Sequence, residues 1–213
     1  MSLLDKLIWD SAKRKQEMQQ FSANINWSYN ELGNPGIIKQ LKQFKLFKTG
    51  SSRKIKNVIY HQELQTNYHI FDYQYEINTG KSSHVYRQSV FFGDSKLLSL
   101  PEFYQKPEDF LEKLMQFLGM DDIDFEKFPE YSDKYHLKGE FESVIRYYFS
   151  EDILTLLSNQ FRLHMEGMHY YFILYQNKKI IPAVQLESFK NLGLMLSELF
   201  HAKSSEASDL LNT

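Results

Sequence analysis

The sequence predicts an α+β fold, with an antiparallel β-meander followed by a helix-rich half that adds a second β-hairpin, plus an N-terminal amphipathic helix. Three observations predict it. Apolar and polar residues alternate in the first half of the chain, which is the period of strands. Apolar residues recur three and four positions apart near both ends, which is the period of helices. The chain has 213 residues, 42% hydrophobic and 15% aromatic, which is typical of a globular protein with a sizeable core.

Cysteine usage and net charge exclude several classes of function. The absence of Cys rules out disulfides, thiolate metal sites and a cysteine nucleophile, and it favours a reducing compartment. A net charge of −2 argues against a general nucleic-acid binder. No apolar run approaches the roughly 20 residues of a membrane span, and the N-terminus lacks a signal-peptide pattern. We therefore expect a cytoplasmic protein, with peripheral attachment to the inner face of a membrane left open.

Residues 1–23 are predicted to form the amphipathic helix, and two interpretations of it stay open. The helix packs on its own domain or on a second copy, or it lies on an anionic membrane with its apolar side chains inserted. The acidic residues Asp5, Asp10 and Glu17 argue against the membrane interpretation. The candidate residues for docking a partner or a membrane are Leu3, Leu4, Leu7, Ile8 and Trp9.

A small, polar and basic loop follows a connector at 24–36 and a predicted first strand near 44–47. No acidic residue lies between Glu31 and Glu63, whereas seven cations do. Backbone amides and cations in such a loop can hold a phosphate or another anion, although the GxxxxGK[ST] spacing is missing and a solvated hairpin turn is the simpler interpretation. The candidate anion-binding residues are Gly50, Ser51, Ser52, Arg53 and Lys54.

The meander is organised around a central strand at 68–77. Phe71 and Tyr73 belong to an aromatic row, and Asp72 and Gln74 belong to the row of opposite orientation. Because successive side chains of a strand point to opposite faces, we expect the aromatic row to be buried and the polar row to face water. Neighbouring strands are predicted at 55–63, 84–92 and 97–103.

The second half is predicted to contain helices at 109–118, 141–159 and 183–202. The middle helix is expected to break at Ser150, where Ser-Glu-Asp has the pattern of a helix N-terminus. A strand at 135–138 and a hairpin at 161–176 complete this half. The predicted organisation is an N-terminal helix at 1–23, a sheet lobe at 24–104, an α+β lobe at 105–202 that forms one compact unit with the sheet lobe, and a flexible tail at 203–213.

No motif indicates catalysis, a cofactor or a metal. His164 and His169 have no carboxylate at a ligand-like offset, and the acidic run from Asp122 departs from a calcium loop at its Gly and Glu positions. We therefore expect no catalytic residue, no cofactor and no metal. The alternative is a hydrolase or metal-dependent enzyme whose site is assembled from distant residues. Candidates for such a site are His61, His84 and Asp72.

Several short motifs occur together in the chain. They are Asn26-Trp27-Ser28-Tyr29, Phe47-x-x-Gly50 with Arg53, Lys54 and Asn57-Val58, Phe71-Asp72-Tyr73-Gln74-Tyr75 with Gly80, Arg87-Gln88-Ser89-Val90, Asp122-Ile123-Asp124-Phe125, Tyr131-Ser132, and the hairpin at 162–175 before the Pro182 helix. This order resembles a family of uncharacterised bacterial proteins, over roughly 27–200. The resemblance implies an α+β body and, in many members, a hydrophobic N-terminal anchor, for which this chain has an amphipathic helix instead. It implies no activity and no site residues.

The sequence thus favours a non-catalytic interaction or scaffold module whose N-terminal helix docks a protein partner, a second copy or a membrane surface. The alternatives are the enzyme described above and a small-anion or phosphate binder. Nucleic acid is not an expected partner.

Overall fold

The computed structural model describes residues 12–33, 35–108 and 122–211. Its strands form one eight-stranded antiparallel sheet in the order β1-β2-β3-β4-β8-β7-β5-β6. The strands are β1 (Ser28–Asn30), β2 (Ser51–Gln62), β3 (Thr66–Asn78), β4 (Ser83–Ser95), β5 (Leu100–Pro107), β6 (Tyr135–Gly139), β7 (Leu163–His169) and β8 (Tyr171–Gln176). The helices are α1 (Ala12–Asn24), α2 (Pro35–Leu41), α3 (Lys45–Lys48), α4 (Pro129–Ser132), α5 (Glu142–Tyr148), α6 (Glu151–Ser158) and α7 (Leu186–Leu211), with a 3₁₀ turn at Ala183–Gln185 before α7.

The predicted α+β class is confirmed, with its meander, second hairpin and helices near both ends of the chain. The order of the strands could not be read from the sequence. Hairpin β7–β8 lies between β4 and β5, so β5 is not a neighbour of the strand that precedes it in the chain. The hairpin thereby pairs the edge that β4 would otherwise expose. Within the described ranges, no helix is long and apolar enough to span a membrane.

The chain divides into two compact units. Unit 1 comprises Met1–Phe92 and Tyr175–Leu192, and unit 2 comprises Gly93–Leu174 and Gly193–Thr213. The lobe boundaries predicted from the sequence stay a prediction.

In unit 1, the central strand β3 is buried on both faces. Phe71 and Tyr73 pack against the ring of Phe47, with centroids 6.2 and 4.4 Å away. On the opposite face, Asp72 is 0% exposed and Gln74 is 8% exposed. The expectation that this polar row faces water is therefore wrong. Arg14 of helix α1 brings a cation to the buried carboxylate of Asp72, as described below. Arg87 of β4 donates to Gln74 at 2.8 Å.

The chain that leads into the sheet also differs from the prediction. The strand predicted at 44–47 is wrong, because helix α3 begins at Lys45. Phe44 and Phe47 at helical spacing both enter the core while Lys45 stays exposed. The connector predicted at 24–36 contains strand β1, which pairs antiparallel with β2 through Ser28 and Tyr60. Helix α2 begins at the end of this connector and precedes α3.

Unit 2 has its own aromatic core, in which Phe103 contacts the rings of Phe149 and Phe200 at 5.0 and 6.0 Å. The predicted break at Ser150 is confirmed, since α5 ends before it and α6 begins after it. Helix α7 does not end near residue 202, as predicted, but continues to Leu211. Ser204 is buried and its hydroxyl oxygen accepts the Ser99 N–H at 3.0 Å, which holds the later turns in place. The helix predicted at 109–118 lies outside the described residues.

Candidate functional site

Helix α1 is fixed to the sheet of unit 1 by one buried arginine. Arg14 is 1% exposed, and its Nε and Nη2 donate to the two carboxylate oxygens of Asp72 at 2.9 and 2.8 Å. Met18 and Ser22, one and two turns further along α1, are buried on the same side of the helix. Burial alone would lower the pKa of Arg14, but the hydrogen bond and negative charge of Asp72 outweigh it and raise the pKa. The guanidinium therefore stays charged inside the protein.

Neighbouring groups complete a network around this ion pair. The Ser89 hydroxyl donates to Asp72 at 2.8 Å and accepts the N–H of Ile181 at 3.0 Å. Arg14 Nη1 donates to the Ile181 carbonyl at 3.0 Å, and the Asn57 amide donates to Asp72 at 3.2 Å. Since the polar atoms of the pair are engaged within the protein, the network acts as a structural lock between α1, the sheet and the segment before α7.

The candidate docking residues Leu3, Leu4, Leu7, Ile8 and Trp9 lie outside the described residues, so their role stays a prediction. Of the predicted helix, the structure describes α1 (Ala12–Asn24), which packs on unit 1 through Arg14, Met18 and Ser22. Arg14 lies five positions after Trp9.

The candidate anion-binding loop lies at the start of β2, directly after α3, and all five of its residues are exposed. Gly50 has a φ of +64°, and a Cβ there would meet the Glu76 carbonyl at 2.4 Å, so this backbone lies tightly against β3. The Arg53 guanidinium donates to the carbonyls of Lys48 at 2.8 Å and Gly50 at 2.7 Å. Arg53 thus caps the last turn of α3. The predicted loop is wrong for residues 51–54, because they belong to strand β2 and Lys54 pairs with Gln74 of β3. Anion binding stays a prediction.

The basic stretch forms exposed surface on α2, α3 and the start of β2. Of its seven cations, six are exposed and Lys56 is half-buried. Helix α3 packs on the Phe71 face of β3, whereas α1 packs on the Asp72 face, so the α3 cations and α1 belong to opposite faces of the sheet in unit 1. The exposed cations are Lys39, Lys42, Lys45, Lys48, Arg53 and Lys54.

The residues proposed for an assembled enzyme site are not brought together. His61 pairs with Tyr68 across β2 and β3, and Asp72 is four residues further along β3, about 13 Å away by strand rise. His61 stacks on Trp27 at 5.4 Å, while His84 lies beside the β3–β4 turn, 2.8 Å from Ser82. Asp72 is occupied by Arg14.

A cluster that the sequence did not indicate lies in unit 2. Glu108, Asp122 and His136 each place one potential metal-ligand atom within 4.8 Å of those of the other two. His136 Nδ1 lies 2.7 Å from Asp122 Oδ2, and both side chains are 6% exposed. The three residues are far apart in sequence and match no ligand spacing. The one available signal was the alternation of β6, which places His136 on the face opposite Tyr135 and Leu137.

Comparisons with known proteins indicate the fold. No protein-family model matches the chain, and none of the curated proteins matches it. Among solved structures, the crystal structure of the mycobacterial trehalose monomycolate transport factor A, TtfA, is similar with a TM-score of 0.54 and 11% sequence identity. The similarity covers 91% of this chain and 95% of that one. At this identity the likeness concerns the fold alone.

Proposed function

We propose that the protein is a non-catalytic interaction module whose residues 1–11 dock on a membrane surface. One observation carries the proposal: helix α1 is locked to unit 1 by the buried pair of Arg14 and Asp72. Apolar side chains that precede this lock are covalently attached to a folded unit at a fixed point. When these side chains bind a surface, the whole folded unit is therefore attached to that surface.

The composition of the segment supports a membrane surface as the occupant. Leu3, Leu4, Leu7, Ile8 and Trp9 supply the apolar side chains that interfacial segments bury at the headgroup boundary. Lys6 is outnumbered by Asp5 and Asp10, so apolar insertion and not charge drives the binding. We therefore expect weak, reversible binding with no preference for anionic lipid.

Two further observations agree with this proposal. The fold is similar to that of a protein whose description is that of a transport factor. The family that the sequence motifs resemble contains many members with a hydrophobic anchor at the corresponding place. A protein partner and a second copy are the competing occupants, and the experiment below separates them.

The test is co-sedimentation with vesicles of phosphatidylcholine, with and without phosphatidylserine, comparing the full chain with a chain that lacks residues 1–11. A longer deletion would remove Arg14 and leave Asp72 buried without its cation, so the deletion ends before α1. The matched variant Leu7→Ser/Trp9→Ser keeps the full length. The control is Lys42→Gln/Lys45→Gln/Lys48→Gln, on the opposite face of the sheet.

We expect the full chain and the lysine control to sediment with both kinds of vesicle, and the deletion and the Leu7/Trp9 variant to stay in the supernatant. Loss of binding in the lysine control alone would overturn the proposal and assign docking to α2 and α3. No vesicle binding, with a mass by light scattering that falls on deletion, would replace the membrane by a second copy.

A further inference from the structure

We propose that Glu108, Asp122 and His136 form a binding site for a divalent cation of the borderline class that includes Zn²⁺. The donor set is one imidazole nitrogen and two carboxylate groups, with potential ligand atoms within 4.8 Å of one another. Zn²⁺ accepts all three of these groups in proteins. The imidazole disfavours Ca²⁺ and Mg²⁺, which take oxygen ligands. This site is independent of the docking proposed above.

Backbone hydrogen bonds hold the three donors in place. The Glu108 N–H donates to the Lys134 carbonyl at 2.8 Å, which ties the residue after β5 to the residue before β6. The Leu137 N–H donates to Asp122 Oδ1 at 2.8 Å, and the Ile123 N–H donates to the Leu137 carbonyl at 2.9 Å. His136 lies within β6 itself. The donors are therefore arranged by strand pairing before any ion binds, which lowers the entropic cost of binding.

The arrangement of Asp122 and His136 suits metal ligation. Metal-bound histidines commonly hydrogen-bond through one ring nitrogen to a carboxylate, which orients the ring so that the other nitrogen meets the ion. The 2.7 Å contact between His136 Nδ1 and Asp122 Oδ2 is of this kind. If the ion instead binds Nδ1, it replaces the proton between the two groups. In the first arrangement Asp122 orients the ring while Glu108 and His136 bind the ion, and in the second all three residues bind it.

The charges favour a divalent ion. The two carboxylates carry two negative charges in a largely dehydrated place, whereas a protonated imidazole supplies at most one positive charge. Lys106 faces His136 across β5 and β6 and is the nearest cation in that register. Its half-buried side chain is long and flexible, so it can swing toward water when an ion binds.

The required movement is small. With metal–ligand bonds of about 2.0–2.1 Å, tetrahedral geometry places ligand atoms about 3.4 Å apart. When all three residues bind the ion, the 2.7 Å pair of His136 and Asp122 has to open, and any gap of up to 4.8 Å has to close, by at most about 1.4 Å, which is within the reach of side-chain rotation. The ion would join Glu108 and Asp122 to β6, an edge strand of the sheet, so its role is to stabilise unit 2.

The test is isothermal titration of the chelator-treated full chain with Zn²⁺, with Mg²⁺ and Ca²⁺ as comparison ions. We expect one Zn²⁺ per chain at micromolar affinity, a rise in the melting temperature, and no effect of Mg²⁺ or Ca²⁺ at the same concentration. The variants Glu108→Gln, Asp122→Asn and His136→Gln should each weaken binding at least tenfold. His61→Gln, which alters a half-exposed histidine beside Glu63 in unit 1, should leave the affinity unchanged.

A stoichiometry well below one, or unchanged affinity in folded variants of all three residues, would overturn the proposal. A second measurement does not depend on the folding of variants. Long-range ¹H–¹⁵N NMR of the wild-type imidazoles should show the ring nitrogens of one buried histidine shift on addition of Zn²⁺. Changes confined to exposed histidines would contradict the site.

Discussion

Arg14 on α1 and Asp72 on β3 are joined by two hydrogen bonds of 2.9 and 2.8 Å, with both side chains almost fully excluded from water. A buried ion pair contributes little net stability compared with apolar residues of the same volume, but removal of one partner leaves a buried charge uncompensated. Removal of one partner should therefore lower the stability far more than the intact pair raises it. The pair also specifies where α1 lies on the sheet.

Replacement of Arg14 by Met should destabilise the protein by about 3–5 kcal/mol, because Asp72 would stay buried without its cation. Asp72→Asn should cost a similar amount, because Arg14 loses its counter-ion and the amide NH2 would face groups that donate to the carboxylate in the wild type. The double variant Arg14→Met/Asp72→Leu should be more stable than Arg14→Met. Urea unfolding followed by circular dichroism measures all three.

The matched control is the exposed pair of Lys15 and Glu31, at 2.5 Å, whose side chains are 44% and 51% exposed. Lys15→Met should cost at most about 1 kcal/mol, because water screens this pair. Equal losses for Arg14→Met and Lys15→Met would show that the buried network is not the lock inferred here.

The two ends of the predicted N-terminal helix should respond differently to truncation. Deletion of residues 1–11 should leave the unfolding midpoint within a few degrees of the full chain, because α1 and Arg14 remain. Deletion of residues 1–22 also removes Met18 and Ser22 from the core, and the product should be largely unfolded or aggregated. Circular dichroism and size-exclusion chromatography distinguish the outcomes, and a folded 23–213 chain would refute the prediction.

The stability of the protein should fall in mild acid because of His69. Burial lowers the pKa of His69 to about 4 from 6.5, so the unfolded chain binds a proton at a pH where the folded chain does not. Above pH 6.5 neither state binds this proton, and the protonation of His69 does not affect the stability of the fold. As the pH falls from 6.5 toward 4, the unfolded chain takes up the proton and the free energy of unfolding falls by up to about 3 kcal/mol. His69→Phe should flatten this part of the pH profile of unfolding free energy, whereas His84→Gln, at an exposed position, should not.

The two cations of the predicted anion loop should behave differently on substitution. Arg53→Ala removes the hydrogen bonds to the Lys48 and Gly50 carbonyls and should cost about 1 kcal/mol of stability. Lys54→Ala, at an exposed side chain, should cost less than about 0.5 kcal/mol. Phosphate titration of both variants tests the prediction of anion binding separately. If the double variant Arg53→Ala/Lys54→Ala binds phosphate as tightly as the wild type does, these residues are not an anion site.

Gly139 at the end of β6 should not accept a side chain. A Cβ there would lie 2.2 Å from Ile145 Cδ1 and 2.4 Å from the Glu102 carbonyl oxygen, and the carbonyl cannot move without disturbing the pairing of β5 with β6. Gly139→Ala should cost about 2–3 kcal/mol. Gly80→Ala, with φ of +80° and open space around it, should cost about 1 kcal/mol from backbone strain alone. Thermal or urea unfolding compares them, and a reversed order would contradict the packing.

The local pattern of the sequence determined most of the elements. Alternation located β2, β3 and β4, and helical spacing located α5, α6 and most of α7, because these periods reflect which side of an element meets the core. The local pattern could not distinguish a strand from a single helical turn at 44–47, because Phe44 and Leu46 fit the strand period while Phe44 and Phe47 fit the helical period, and all three are buried. The local pattern also placed the end of α7 too early, at residue 202 and not at Leu211, because Ser204 is buried by contacts with residues far away in sequence.

Tertiary structure alone decided the environment of the polar residues. Asp72 and Gln74 had the pattern of a solvent-facing row, but Asp72 is paired in the core with Arg14, 58 positions earlier in the chain, and Gln74 accepts a hydrogen bond from Arg87 on β4. Similarly, Glu108, Asp122 and His136 meet only because β6 pairs with β5 and with the segment after Asp122. Sequence by itself determined the class of fold and the periodicity of its elements, which are local properties. The partners of buried charges were decided by strand order and helix placement, because a charge enters the core only where the folded chain brings compensating groups to it.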